Sequence, residues 1–182
     1  ARLGEMREQR YLPVLKKHLY DRDLLVRFQA IRAISPLDNG ETTISLLSDP
    51  KELLIVRCFT VTQIFKYLKC KRPLLLKMFG KLYRDPNPLF RFLIFERLGW
   101  TNLQIADHLL LRYSTSKDVD IRAGCVVGMC NSTKFSFYKR VVKMLQDPSP
   151  RIRSLAAAAT IYITAFRDQK INRRWFVRFA NS

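Results

Sequence analysis

An apolar residue followed by arginine recurs five times along this chain of 182 residues: Val26-Arg27, Val56-Arg57, Phe90-Arg91, Ile121-Arg122 and Ile152-Arg153. The arginines are separated by 30, 34, 31 and 31 residues. A period near 31 held over most of a chain is the mark of stacked repeats, in which each unit packs on its neighbours rather than around one central core. An aspartate stands shortly before each arginine, at Asp21, Asp49, Asp85, Asp118 and Asp147, and three of these form Asp-Pro pairs.

Each unit reads as two helices. In the first, apolar residues recur at helical spacing: Tyr11, Leu12, Leu15 and Leu19, then Leu74, Leu75, Met78, Phe79 and Leu82, then Val141, Val142, Met144 and Leu145. The aspartate and proline turn follows, where proline stops one helix and suits the start of the next, since its missing N–H is no loss there. In the second helix, Ala30, Thr60, Ile94, Cys125 and Ala156 stand three places after the arginine, and Ile34, Ile64, Leu98, Met129 and Thr160 stand seven places after it. Offsets of three and seven share a helix face, so small and large residues alternate along one buried stripe. Gly99 and Asn131 read as helix ends.

Aspartate, apolar-Arg, a small residue three on and a large one seven on: the chain resembles the HEAT-repeat family over residues 11 to 166. The resemblance implies an all-α fold, an α-solenoid of about five helix pairs in a single domain. The repeats would run over about 11–40, 41–70, 71–101, 102–132 and 133–166, with a basic C-terminal cap at 167–182. It also implies that Asp21, Arg27, Asp49, Arg57, Asp85, Arg91, Asp118, Arg122, Asp147 and Arg153 form a structural ladder between turns. Asp49 lies eight residues before Arg57 and Asp118 only four before Arg122, against six in the other units. Those two turns are expected to differ in shape. Ten or eleven helices and no sheet follow.

The net charge is +18, and setting aside the five arginines and five aspartates of the signature leaves it unchanged. The excess therefore lies outside the repeat signature and points to an acidic partner, a nucleic acid or an anionic membrane surface. The longest apolar run, Leu155 to Phe166, is too short to cross a bilayer. The cysteines Cys58, Cys70, Cys125 and Cys130 form no Cys-x-x-Cys pair, so they read as core thiols of a reducing compartment, and a cytoplasmic location is expected.

No coherent catalytic constellation emerges. His108 adjoins Asp107, but adjacent residues on a helix point apart, and six scattered glycines form no phosphate loop. No catalytic residue, metal ligand or cofactor is assigned, and the chain is not expected to be an enzyme. The leading reading is a scaffold or adaptor that binds an acidic protein partner through its second helices. The positions one and five after the arginine are expected to face outward, which nominates Phe28, Arg32, Phe92 and Glu96 for partner binding. A basic patch of Lys69, Lys71, Arg72, Lys139, Arg140, Arg173 and Arg174 carries the alternative, a nucleic-acid-binding HEAT-like protein comparable to the DNA glycosylases of that type. The charged start, with Arg2, Glu5, Arg7, Glu8 and Arg10, suits a third reading: peripheral or tethered association with the cytoplasmic face of a membrane.

Overall fold

The computed structural model describes residues 9–38, 42–49, 51–67, 72–101, 103–132 and 134–167. It is all-helical, with ten α-helices and no strand among those residues. In chain order they are α1 (Leu12–Lys17), α2 (Leu24–Asp38), α3 (Ile44–Ser48), α4 (Leu54–Tyr67) and α5 (Arg72–Leu82). Then follow α6 (Pro88–Leu98), α7 (Gln104–Tyr113), α8 (Val119–Asn131), α9 (Tyr138–Lys143) and α10 (Pro150–Arg167). Single 3-10 turns, His18–Tyr20 and Met144–Gln146, extend α1 and α9 towards the loops behind them.

The even-numbered helices pack on one another in chain order, α2 on α4, α4 on α6, α6 on α8 and α8 on α10, and each odd-numbered helix packs on the even one that follows it. The register of the even helices explains the row. All five residues three places after the arginine are buried, as are Ile34, Ile64, Leu98 and Met129 at seven places, with Thr160 half-buried. A continuous apolar core runs from Leu47 to Ile163, and a smaller one gathers Leu15, Leu19, Ile31, Ile34 and Leu46 around α2. The two meet at α3, where Leu46 joins one and Leu47 the other.

α6 and α8 approach each other closely. A Cβ on Gly124 would lie 2.4 Å from Phe92 O, one on Gly128 would lie 2.4 Å from Phe95 O, and one on Gly99 would lie 2.0 Å from Gly128 O. Gly99 does cap α6, but in the right-handed helical region (φ −60°, ψ −24°), so it is needed for lack of bulk and not for a left-handed turn.

The turns follow one local design. In every unit the aspartate Oδ1 accepts a hydrogen bond from the N–H two residues on: Asp23, Lys51, Asn87, Asp120 and Ser149, at 2.8 to 3.0 Å. Such aspartate turns satisfy N–H groups at the entrance of the second helix. Asp118, four residues before its arginine, is itself the cap of α8 and also accepts from Ile121 N. In the third unit Asn87 does the capping and Pro88 is the first helical residue.

Candidate partner-binding face and the arginine ladder

The recurring arginines bond backwards to their own turn and forwards to the acid of the next unit. Arg91, Arg122 and Arg153 each give Nη1 to the two carbonyls six and five residues earlier: Asp85 and Pro86, Ser116 and Lys117, Asp147 and Pro148. That grip is constant although the aspartate has moved in the fourth unit. Arg27 and Arg57 instead donate Nε to Leu19 O and Leu47 O, both at 3.0 Å.

Forwards, Arg57 pairs with Asp85, and its guanidinium lies 4.1 Å from the centroid of the Phe90 ring. Arg122 meets Asp147 through two parallel bonds, Nε to Oδ2 at 2.8 Å and Nη2 to Oδ1 at 2.9 Å. This planar fork is the geometry that guanidinium, unlike ammonium, supplies to a carboxylate. Arg91 Nε lies 2.8 Å from Asp118 Oδ2, an ion pair that lacks the angle of a hydrogen bond. The exception is Asp49. It shapes its own turn, but Arg27 pairs with Glu52. The longer second turn carries the aspartate away from the preceding unit, and a glutamate three residues on, with one more methylene, reaches back. The ends of the row differ as well. Asp21 faces His18 at 3.5 Å, and Arg153 is exposed.

Burial would push the Asp147 carboxyl up, but the bonds from Arg122 and from Ser149 N–H, with the charges of Arg122 and Arg153, hold it below the ordinary carboxylate range. Burial also pushes the thiols up, Cys130 to about 11 and Cys125 well above its ordinary value. Both are free, as is Cys58, and none is in an environment that would activate it.

The nominated partner-binding residues divide. Arg32 is exposed. Phe28 and Phe92 are half-buried against the two cores; Phe28 meets Phe59 at 4.7 Å between ring centroids, and Arg151 lies over Phe92 at 5.8 Å. Glu96 is not an open surface group. Its side chain is only 12% exposed and its Oε1 accepts from Asn131 Nδ2 at 2.7 Å and from Trp100 Nε1 at 3.1 Å, with Arg97 Nε 3.0 Å from Oε2. It ties α6 to the end of α8. Of the positions directly after the arginine, expected to face outward, only Ser154 is exposed: Phe28, Cys58 and Phe92 are half-buried, and Ala123 is fully buried next to Gly124, where α6 and α8 come close together.

In the first three units, apolar residues that face outward stand two places before the arginine. Leu25, Ile55 and Leu89 are 69%, 57% and 56% exposed, and sequence reading passes them over because an apolar residue in a helix's first turn looks like part of its periodic stripe. In the fourth and fifth units the same position holds Asp120 and Arg151, which touch at 2.7 Å. In those two units the position forms neighbouring sites.

Of the basic patch, Lys139 is exposed and Arg140 half-buried, Arg72 begins α5, and Lys69, Lys71, Arg173 and Arg174 lie outside the described residues. Some of the described aromatics near these basic residues serve the core, whereas Phe135 is 42% exposed. Phe79 and Phe137 are buried, and Phe79, Tyr83, Phe95 and Tyr113 pack together with ring centroids 5.2 to 5.5 Å apart. Asp107, beside exposed His108, pairs with Lys134 at 2.7 Å. Among the described residues no group of three or more His, Cys, Asp or Glu is placed to hold a metal ion, and no helix is long and apolar enough to cross a membrane. The sequence matches no protein-family model and no curated protein.

Proposed function

We propose that the chain is a HEAT-type α-solenoid acting as a protein-interaction module, not an enzyme, and that it captures an acidic partner along its second helices. The observation that carries this reading is the in-register row of Leu25, Ile55 and Leu89, each more than half exposed. Singly exposed apolar residues need no explanation, but a row repeated at one position of successive helices forms a patch, and patches of that kind mark binding surfaces. The open part of the face lies in the first three units, because the Asp120–Arg151 pair occupies the row beyond Leu89. Exposed Arg22, Arg32 and Lys51 flank the row. They favour a partner segment with apolar anchors and acidic flanks, speeding encounter and fixing register more than adding affinity. The chain's cationic excess agrees with a partner that is acidic.

The test is affinity capture with the whole chain, identification of the captured protein, and titration of that protein in purified form. A Leu25→Asp, Leu89→Asp double substitution is expected to weaken the titrated affinity by about a hundredfold, as for central apolar anchors, with helical signal and melting temperature unchanged. Unaltered affinity removes this row as the binding face. Tight oligonucleotide binding that survives physiological salt would favour the nucleic-acid reading instead.

A further inference from the structure

Between the turns of the fourth and fifth units lies an open cleft of about 330 Å³. Its floor is the Arg122–Asp147 pair, whose side chains are only 10% and 9% exposed and whose charges cancel. Its wall carries Arg140 and Lys143, and among the described residues no carboxylate pairs with either. Arg140 is held rather than loose. Its Nε donates at 2.6 Å to the hydroxyl of Ser114, which is 3% exposed and itself donates to Leu111 O at 2.7 Å. That bond uses the inner edge of the guanidinium and leaves Nη1 and Nη2 for the cleft. The Ser116 hydroxyl, which accepts from Asp118 N at 3.2 Å, keeps its own proton to donate.

The repeat does not demand this arrangement. Arg140 stands seven residues before Asp147, and the same position in the other units holds Val14, Thr42, Met78 and Leu111, none of them charged. Lys143, four residues before Asp147, stands where Lys17 and Lys81 stand in the first and third units, so the departure is Arg140 alone: a cation at an apolar or neutral register position, braced by a buried hydroxyl beside that lysine.

We infer that this cleft binds the dianionic group of a phosphate monoester. Two uncompensated cations match a charge near −2, the guanidinium edge matches two phosphate oxygens in a bidentate bond, and lysine supplies a point charge to the third. The volume suits a small phosphorylated group and little more. The monoester comes either from a small molecule or from a phosphorylated protein side chain.

Titration calorimetry on the whole chain tests this with phenyl phosphate, phenyl sulfate, a phosphoserine peptide and an unmodified oligonucleotide as probes. Saturable binding of phenyl phosphate is expected, weakened at least about tenfold by Arg140→Gln, which removes the bidentate pair, and by Lys143→Gln, which removes the point charge. Lys81→Gln, an exposed change on α5 that removes equal charge, is expected to leave it intact. Lys143 is exposed, so its substitution reports on binding even if Arg140→Gln unsettles the fold. A phosphoserine peptide that binds more tightly than phenyl phosphate assigns the source to a protein side chain, and the reverse order assigns it to a small molecule; both support the site. No saturable binding of either monoester, equal binding of phenyl sulfate, equal loss with Lys81→Gln, or displacement of phenyl phosphate by the oligonucleotide overturns it.

Discussion

Asp120 and Arg151 occupy the same place in their respective helices, two residues before the recurring arginine, and Arg151 Nη1 donates to Asp120 Oδ1 at 2.7 Å across 31 residues of chain. The spacing of the sequence motif and the distance between neighbouring second helices are here one fact seen twice. The same translation puts each arginine within reach of the next unit's carboxylate, as in Arg57–Asp85 and Arg122–Asp147. The backward grip on its own turn leaves the guanidinium a second edge for the forward bond.

Arg122→Ala is expected to be among the most damaging single changes in the chain. It removes both bonds to Asp147 and the two to Ser116 O and Lys117 O, and leaves a carboxylate 9% exposed without its partner. A loss on the order of 3–5 kcal/mol follows. Arg91→Ala is expected to cost less, because Arg91 and Asp118 are 18% and 28% exposed. Arg32→Ala, on the open surface, is expected to stay within about 0.5 kcal/mol. Urea melts rank the three, and equal losses would mean that the pairs stabilise nothing beyond a surface contact.

The glycines give a test of opposite signs. Gly128→Ala puts a methyl group 2.4 Å from Phe95 O, so α6 and α8 must separate, at a cost of about 1–3 kcal/mol. Gly80→Ala meets nothing within 4 Å in the exposed last turn of α5. It is expected to stabilise by about 0.4–1 kcal/mol by restricting the unfolded chain. Thermal melts moving in the same direction for both would refute the close-approach account.

These two comparisons also divide what the sequence reveals from what it hides. The buried stripe at three and seven places after the arginine is legible, because helix geometry imposes it on every unit and five copies reinforce it. Ala123 is not, because its burial comes from Gly124 and Gly128, whose role depends on a neighbouring helix some thirty residues away. Glu96 is hidden for the same reason: its partner Asn131 is 35 residues on and outside the repeated motif. Glu52 escapes because a recurrent aspartate directs attention to Asp49, whereas reach across the longer turn decides which carboxylate meets Arg27. The row of Leu25, Ile55 and Leu89 is written in the chain, but apolar identity alone does not tell a helix's outer edge from its core side.

Cys130 is expected to resist alkylation at neutral pH. Burial favours the uncharged thiol and pushes its pKa to about 11 from an ordinary value of 9.0, and only the thiolate is an effective nucleophile. The rate of iodoacetamide labelling at Cys130, followed by mass spectrometry of the native chain, is expected to rise towards pH 11 rather than to level off above pH 9. A labelling midpoint at the ordinary value of 9.0 would place Cys130 in an exposed setting.

Asp147→Asn isolates the ion pair from the turn. An asparagine Oδ1 still accepts from Ser149 N, as the aspartate does at 2.9 Å, but its amide nitrogen cannot accept from Arg122. The carboxyl's pKa is held down in the folded chain, so the native state binds fewer protons than the unfolded one in this range. The linked stability is therefore fully present above the unfolded-state value of about 3.9, and is lost as the pH falls from there through the lower folded value. Wild type is expected to be more stable than Asp147→Asn at neutral pH, with the gap shrinking as the solution is acidified below about pH 4. Urea melts at a series of pH values measure that gap. A difference that stays constant into strong acid would show that the substitution harms packing or the turn, and that the carboxylate's charge contributes nothing to holding the fourth and fifth units together.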